Sequence, residues 1–375
     1  MQEGNAYTIP DTSLLDSAKQ CETIATREAR VQAAVLESYL ADKGIPGQIV
    51  EISPYVSATR YTFKPDNGMS PGLDTTIKNF ACEVAPGVGC ASVSDTAPDR
   101  VSIYVHNKTR YTARMGDIVS WDDFQNTGVR IPWGTGYVAD RPQIHDLADI
   151  GATLVLGEAG ADIQTFLQTL IISILYRFTP HQCRLTLINA AHADLGLWAD
   201  IPHLATPLVR GAKYAATALD TILNELDQRQ ASLNATSCQN MPYIVVIIDE
   251  LEPLMTGVCR TQVENSLCRI AQQGPAVGIY PVVATRRVDI PMRNVLRQPT
   301  GDILTAKILD PFKSRFFIQA QTEVRFSERW VDTIFPWGNK LSPLFTQMPH
   351  IEPSEVARVA DFVRNHPQKE RSKND

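Results

Sequence analysis

An apolar run that ends in two adjacent carboxylates carries the clearest chemistry in this sequence. Residues 243–250 read YIVVIIDE, so Asp249 and Glu250 directly follow a strand-like segment. Open parallel sheets bind ligands at the carboxyl ends of their strands. In a nucleotide hydrolase the first acid holds Mg²⁺, often through water, and the second polarises the attacking water. The alternative is a solvated acidic pair that opens a helix, where carboxylates suit the helix dipole.

A second candidate is the turn within residues 153–166, which read TLVLGEAGADIQTF. A strand, a glycine-containing turn and the start of a helix make an anion site, because free backbone N–H groups and the positive helix end converge there. A tight turn without a ligand explains the same spacing equally well. The presence of both this turn and the acidic pair favours a nucleotide site.

The elements that must position these residues follow from hydrophobic patterning. Apolar strand-like runs lie at 153–156, 184–188, 243–248, 279–284 and, more weakly, 303–308. Helical periodicity covers 161–178 and 213–230. Continuous apolar strands that alternate with helices predict an α/β fold with a parallel sheet covered on both faces.

The first third of the chain has a different pattern. Apolar spacing predicts a helix from Glu28 to Lys43, and β-type runs follow at 48–53, 56–65 and 100–106. This region is expected to form a smaller α+β domain. Glycine and proline in residues 126–152 predict an irregular connection to the next domain.

Composition narrows the class of protein. The chain has 375 residues, 44% of them hydrophobic, and a net charge of −6, which excludes a disordered chain and a globally basic nucleic-acid surface. Its seven cysteines form no C-x-x-C pair, which disfavours zinc and predicts reduced, structural thiols. No apolar run reaches the ~18–20 residues of a membrane span, and the N-terminus lacks a signal-peptide pattern. A cytoplasmic protein is expected.

Several segments, in the right order, resemble the motor module of the FtsK/SpoIIIE family of DNA translocases. They are VLGEAG at 155–160, IPHLATPLV at 201–209, PYIVVIIDELEPLM at 242–255 and VVATRR at 282–287. The resemblance implies a RecA-like P-loop core that hydrolyses ATP with Mg²⁺. It also implies double-stranded DNA as a partner, and either a homo-hexamer or a mixed ring with an active paralogue. The expected organisation is an N-terminal tail (1–27), a small motor subdomain (28–125), a RecA-like domain (126–360) and a charged tail (361–375).

The phosphate loop departs from the family pattern G-x-x-x-x-G-K-[ST]. Asp162 stands where the second glycine belongs, Ile163 replaces the phosphate-binding lysine, and Gln164 replaces the hydroxyl that ligates Mg²⁺. A unit-charge interaction near 4 Å is worth about 4 kcal/mol at an effective dielectric of 20. Ile163 removes that interaction and fits the apolar stripe of the following helix. The aligned residues are Gly157, Glu158, Ala159, Gly160, Ala161, Asp162, Ile163 and Gln164.

The resemblance assigns roles to further residues. Asp249 is the implied metal ligand, and Asp249, Glu250 and Arg315 are the implied catalytic residues, with Arg315 near a family arginine that reaches a neighbour's nucleotide. A surface salt bridge is the alternative for Arg315. Thr285 and Arg286 correspond to the polar sensor after the fourth strand, although the family has glutamine at the second position. After the second strand, the family's Asp-Pro-Lys is replaced by Asn189-Ala190-Ala191.

A locally basic segment provides the DNA hypothesis. Cations outnumber carboxylates between residues 286 and 329, and the expected DNA contacts are Arg286, Arg287, Arg293 and Arg297. An ordinary mixed-charge surface is the alternative. The sequence therefore predicts a translocase-like module that binds DNA and is impaired in ATP hydrolysis. Two other hypotheses are an active translocase with a divergent loop and a non-catalytic recruitment subunit of a conjugation or secretion ATPase.

Overall fold

The computed structural model describes residues 7–17, 22–54, 58–68, 72–83, 91–97, 100–106, 114–125, 128–138, 141–157, 163–190, 195–233, 241–286, 303–307, 332–336 and 343–366. The helices are α1 (Glu22–Asp42), α2 (Leu73–Glu83), α3 (Met115–Val119), α4 (Asp122–Gln125), α5 (Leu147–Ile150), α6 (Ile163–Leu175), α7 (Ala212–Leu233), α8 (Arg260–Gln273) and α9 (Pro353–Asn365). The first strands are β1 (Gly47–Pro54), β2 (Ala58–Pro65), β3 (Ala91–Ala97), β4 (Arg100–His106), β5 (Pro132–Val138), β6 (Arg141–Asp146) and β7 (Thr153–Gly157). The remaining strands are β8 (Cys183–Asn189), β9 (Val209–Arg210), β10 (Tyr243–Ile248), β11 (Ile279–Thr285), β12 (Ile303–Lys307), β13 (Asp332–Pro336) and β14 (Pro343–Gln347).

The chain divides into two compact units. The larger unit comprises Met1–Asp16, Arg114–Gly136 and Gln143–Asp375, and the smaller one Ser17–Ala113 and Tyr137–Pro142. The domain boundaries expected from the sequence, near residues 27, 125 and 360, stay predictions.

A ten-stranded sheet organises the larger unit. Its order is β6-β5-β14-β13-β12-β7-β11-β10-β8-β9, and the strands from β12 through β8 pair in parallel. Each of the five apolar runs named above is a strand of this parallel section. The predicted α/β fold with a parallel sheet is confirmed.

Burial on both faces of the central strands explains their continuous apolar sequence. Ile244, Val246 and Ile248 of β10 pack in one core cluster with apolar residues of α7 and α8. Val245 and Ile247, which point to the opposite face because strand side chains alternate, are also fully buried. Helices therefore have to cover both sides of the sheet.

The prediction of an irregular connection over residues 126–152 was wrong. This segment forms β5, β6 and α5 at one end of the sheet. Pro132 begins β5, a position where a missing N–H is tolerated. Gly134 allows a close approach, since a Cβ there would lie 2.6 Å from Ile118 Cγ2. These glycines and prolines mark tight packing within strands, where the composition suggested a loop.

The smaller unit is an antiparallel sheet of order β1-β2-β4-β3 with α1 and α2. Leu36 and Leu40 of α1 pack with Tyr61 and Phe63 of β2 in its core. Helix α1 begins at Glu22, earlier than its apolar spacing alone predicts. Within the described residues of the whole chain, no helix has the length and apolar content needed to span a membrane.

Candidate nucleotide site at the carboxyl edge of the sheet

The parallel strands bring the predicted acidic pair and the predicted phosphate loop to the same edge of the sheet. Strand β11 lies between β7 and β10, and Thr285 at its end is in register with Leu156 of β7. Ile248, the last residue of β10, is in register with Ile188 and Val283 of the neighbouring strands. Asp249 and Glu250 therefore follow β10 at the edge where Gly157 ends β7.

Asp249 joins the ends of two strands. Its side chain is only 4% exposed, and its Oδ1 accepts a hydrogen bond of 2.6 Å from the backbone N–H of Ala190, which follows β8. The Asp249 N–H donates in turn to the carbonyl of Ile188 over 3.2 Å. A charge-assisted bond in a buried site is stronger than a neutral one, so this carboxylate stabilises the β8–β10 edge.

Glu250, the next residue, connects the end of β10 to the end of β11. Its Oε1 accepts the backbone N–H groups of Leu251 at 3.0 Å and Glu252 at 3.3 Å. Its Oε2 accepts the N–H of Arg286, which follows β11, at 3.0 Å. Both oxygens of this carboxylate are therefore engaged by the backbone. A residue that polarises an attacking water needs one oxygen turned toward that water.

The described part of the phosphate loop is apolar where the family pattern places its cation. Ile163 is the first residue of α6 and is 3% exposed, in phase with buried Phe166, Leu167 and Leu170. Gln164, beside it, is half-buried. Gly157 ends β7, while Glu158, Ala159, Gly160, Ala161 and Asp162 lie outside the described residues. Position 163 thus belongs to the core and offers no charge to a phosphate.

Other sequence-predicted residues are only partly described. Thr285 is buried at the end of β11, and the Arg286 side chain is exposed. Arg287, Arg293, Arg297 and Arg315 lie outside the described residues. The roles assigned to these residues stay predictions.

Residues 119–242 match the model of the FtsK/SpoIIIE family. The DNA translocase FtsK of Agrobacterium fabrum is 26% identical, in an alignment that covers 85% of this chain and 40% of that protein. The FtsK of Clostridium acetobutylicum is 27% identical, with 96% of this chain and 49% of that protein covered. This chain is thus similar to the FtsK/SpoIIIE family over residues 119–242 and to these two translocases over most of its length. It spans about half the length, or less, of these two curated relatives.

Two solved structures have the same fold. The pCW3 conjugation coupling protein TcpA superposes with a TM-score of 0.57 at 13% identity, covering 88% of this chain and 98% of that one. The cytoplasmic domain of the type VII secretion ATPase EccC of Thermomonospora curvata gives a TM-score of 0.58 at 14% identity, covering 68% of this chain and 35% of that one. The predicted P-loop ATPase fold is confirmed.

The FtsK/SpoIIIE resemblance gives the Ala190–Asp249 bond a particular meaning. Ala190 stands at the family's proline in Asp-Pro-Lys, and proline has no N–H to donate. The donor that holds Asp249 Oδ1 at 2.6 Å therefore depends on a residue in which this chain departs from the FtsK/SpoIIIE pattern.

Sequence patterns missed the polar contacts that hold α6, the helix after the phosphate loop. The Trp133 indole N–H donates to Thr169 Oγ1 over 2.9 Å, and the Trp198 indole N–H donates to Gln168 Oε1. Gln168 and Thr169 are both buried. The polar residues Gln168, Thr169 and Ser173 at buried positions of this helix were the available signal, because buried polar groups require partners.

Proposed function

We propose that this chain is an FtsK/SpoIIIE-type motor module that binds duplex DNA and is impaired in ATP hydrolysis. The observation that carries the proposal is the buried side chain of Ile163 at the first residue of α6. A lysine there gives the family a full charge against the β- and γ-phosphates. The described residues therefore do not suit a magnesium-bound triphosphate.

The hydrogen bonds of Glu250 support the same conclusion. Phosphoryl transfer depends on charge neutralisation and on positioning of the attacking water. Three backbone N–H groups, from Leu251, Glu252 and Arg286, already occupy most of the acceptor positions of Glu250. Asp249 and Glu250 are present without the lysine of the family pattern. The carboxyl edge of the sheet therefore carries negative charge, and Ile163 provides no positive charge to balance it.

Phosphate release with and without duplex DNA tests the proposal. The wild-type chain is compared with a variant that restores the loop pattern, Asp162→Gly with Ile163→Lys and Gln164→Thr. The motor region of the Clostridium acetobutylicum relative serves as the positive control. We expect wild-type release at the background level, whereas DNA-stimulated release near that of the relative would refute the proposal.

DNA binding rests on the basic segment that begins at Arg286. Each phosphate neutralised by a cation contributes about −0.9 to the slope of log affinity against log salt. Changing Arg286, Arg287, Arg293 and Arg297 to glutamine is expected to weaken binding and flatten that slope. A matched control changes four exposed cations elsewhere, Arg184, Arg210, Lys213 and Arg260. Equal loss in both sets would indicate a diffuse charge effect and remove the assignment.

We also propose a ring, either a homo-hexamer or one mixed with an active paralogue, in which Arg315 reaches a neighbour's nucleotide. Native mass spectrometry of the chain, alone and mixed with such a paralogue, distinguishes these two assemblies. A chain that stays monomeric in both mixtures contradicts the proposal. Arg315→Ala in the mixed ring is expected to lower the neighbour's ATPase rate.

A recruitment subunit of a conjugation or secretion ATPase is the second candidate. It is favoured by the fold likeness to the conjugation coupling protein TcpA, which extends over 98% of that chain. In this case the chain is expected to bind a cargo protein and to show no binding to duplex DNA even at low salt. Parallel titrations with duplex DNA and with cargo distinguish the two candidates.

A further inference from the structure

The segment that ends at Asp16 and the segment that begins at Arg114 lie side by side within the larger unit. The chain leaves that unit after Asp16 and re-enters it at Arg114. A Cβ built on Gly116 would lie 2.6 Å from the Asp16 carbonyl oxygen and 3.2 Å from Leu15 Cβ. The outgoing and returning segments are therefore in direct contact.

Both segments are bound by one buried carboxylate. Glu355, on the first turn of α9, is fully buried, and its Oε1 accepts the Asp16 backbone N–H at 2.7 Å. Its Oε2 lies 3.5 Å from Arg114 Nη1 and accepts the Glu352 N–H at 2.7 Å. One side chain thus contacts the last residue before the first crossing and the first residue after the return.

The surrounding contacts hold the outgoing segment against two helices. Arg358, on the next turn of α9, donates to the Leu14 carbonyl at 3.0 Å and to Asp16 Oδ1 at 2.9 Å. The Tyr176 hydroxyl, just after α6, donates to the Asp11 carbonyl at 3.0 Å. Arg358 and Asp16 are both exposed, so their ion pair contributes little by itself. A buried carboxylate that loses its partners has a much larger effect.

A helix cap alone does not explain Glu355. The reciprocal capping box with Glu352 needs one carboxylate oxygen. The other oxygen binds Asp16, which is 339 positions away in the sequence and serves no group of α9. We propose that Glu355 is an anchor that holds the segment ending at Asp16 and the segment beginning at Arg114 within the larger unit, so that neutralising this one carboxylate releases the two segments together.

Amide hydrogen exchange in the full chain tests this anchor. Glu355→Gln keeps the shape but leaves one acceptor oxygen for the two backbone N–H groups of Asp16 and Glu352, and it removes the negative charge that faces Arg114. Exchange at Asp16 and at residues 115–118 is expected to rise about tenfold or more, as expected for the loss of a charged hydrogen bond. The amides of β10 are expected to keep their exchange rates. The matched control is Glu352→Gln, at an exposed carboxylate of the same turn, which should leave the Asp16 amide protected.

Three results would overturn the anchor: unchanged exchange at Asp16, faster exchange confined to α9, or equal acceleration in β10. Should Glu355→Gln not fold, Arg114→Met tests the returning arm alone, because Arg114 makes no side-chain cap to α3. Faster exchange at residues 115–118 with Asp16 still protected supports the anchor. No change at residues 115–118 contradicts it.

Discussion

The backbone N–H of Ala190 and the Oδ1 atom of Asp249 are 2.6 Å apart, which joins the ends of β8 and β10. Asp249 is buried, so this contact contributes more than a surface pair of the same length. The FtsK/SpoIIIE pattern places proline at position 190, and with it the donor would be absent.

Ala190→Pro is therefore expected to destabilise the chain by about 1–3 kcal/mol, the effect of removing a donor from a buried carboxylate. Urea denaturation measures the change, and Ala190→Ser, which keeps the N–H, is the control. Asp249→Ala, which has no acceptor oxygen, should cost less in the Ala190→Pro background than in the wild type, because both changes remove the same contact. Simple additivity of the two changes would contradict this account.

Glu250→Gln is expected to lower the free energy of unfolding by about 1.5–3 kcal/mol. The carboxylate accepts three backbone N–H groups, while glutamine presents an NH₂ group to some of those donors. Glu252→Gln, at the exposed neighbour, should change stability by less than about 0.5 kcal/mol. A variant that keeps its stability and loses DNA-stimulated phosphate release would instead assign Glu250 to catalysis.

Ile163→Lys tests whether this position belongs to the core. A lysine at a site that is 3% exposed, beside the positive end of α6, is expected to cost about 1–3 kcal/mol. Ile163→Leu keeps the apolar volume and should cost less than about 1.5 kcal/mol. Urea denaturation of both variants, with ATP binding measured alongside, checks the expectation. Full stability combined with new ATP affinity in the lysine variant would mean that the loop is only one substitution from function.

Much of the fold could be predicted because apolar runs reflect burial directly. The run 243–248 coincides with β10, since a strand buried on both faces has no polar positions. The strands within 126–152 could not be predicted, because Pro132 and Gly134 have the local signature of a loop and only tertiary packing makes them strand residues. For the site, sequence spacing predicted which residues share an edge. The partners of Asp249 and Glu250 depend on the register between strands, which no local pattern encodes.

Two buried histidines are expected to make the free energy of unfolding decrease as the pH falls from 6.5 to about 4. Burial lowers the pKa of His203 from 6.5 to about 4, and burial lowers the pKa of His145 to about the same value. In that range the unfolded chain binds protons that the folded chain excludes. The stabilisation is therefore complete above pH 6.5 and is lost as the pH falls toward 4, by about 1.4 kcal/mol per pH unit for each histidine.

Urea denaturation at pH 5 and 7 measures this slope. His203→Gln should reduce the slope, at a cost in stability from the lost 2.9 Å contact between Nε2 and the Phe178 carbonyl. An identical slope in His203→Gln and wild type would show that His203 does not contribute to the pH dependence.

Gly116→Ala provides a test in which two effects have opposite signs. Alanine normally stabilises a helix relative to glycine by up to about 1 kcal/mol. At Gly116, however, the added Cβ would lie 2.6 Å from the Asp16 carbonyl oxygen and 3.1 Å from its carbonyl carbon, both backbone atoms. We expect the steric effect to dominate and the free energy of unfolding to fall by about 1–3 kcal/mol.

Gly72→Ala, where no atom lies within 4 Å of the new Cβ, is the control and should change stability by less than about 0.5 kcal/mol. Thermal unfolding followed by circular dichroism compares the two variants. A Gly116→Ala chain that melts at or above the wild-type temperature would mean that the Asp16 segment does not pack against α3.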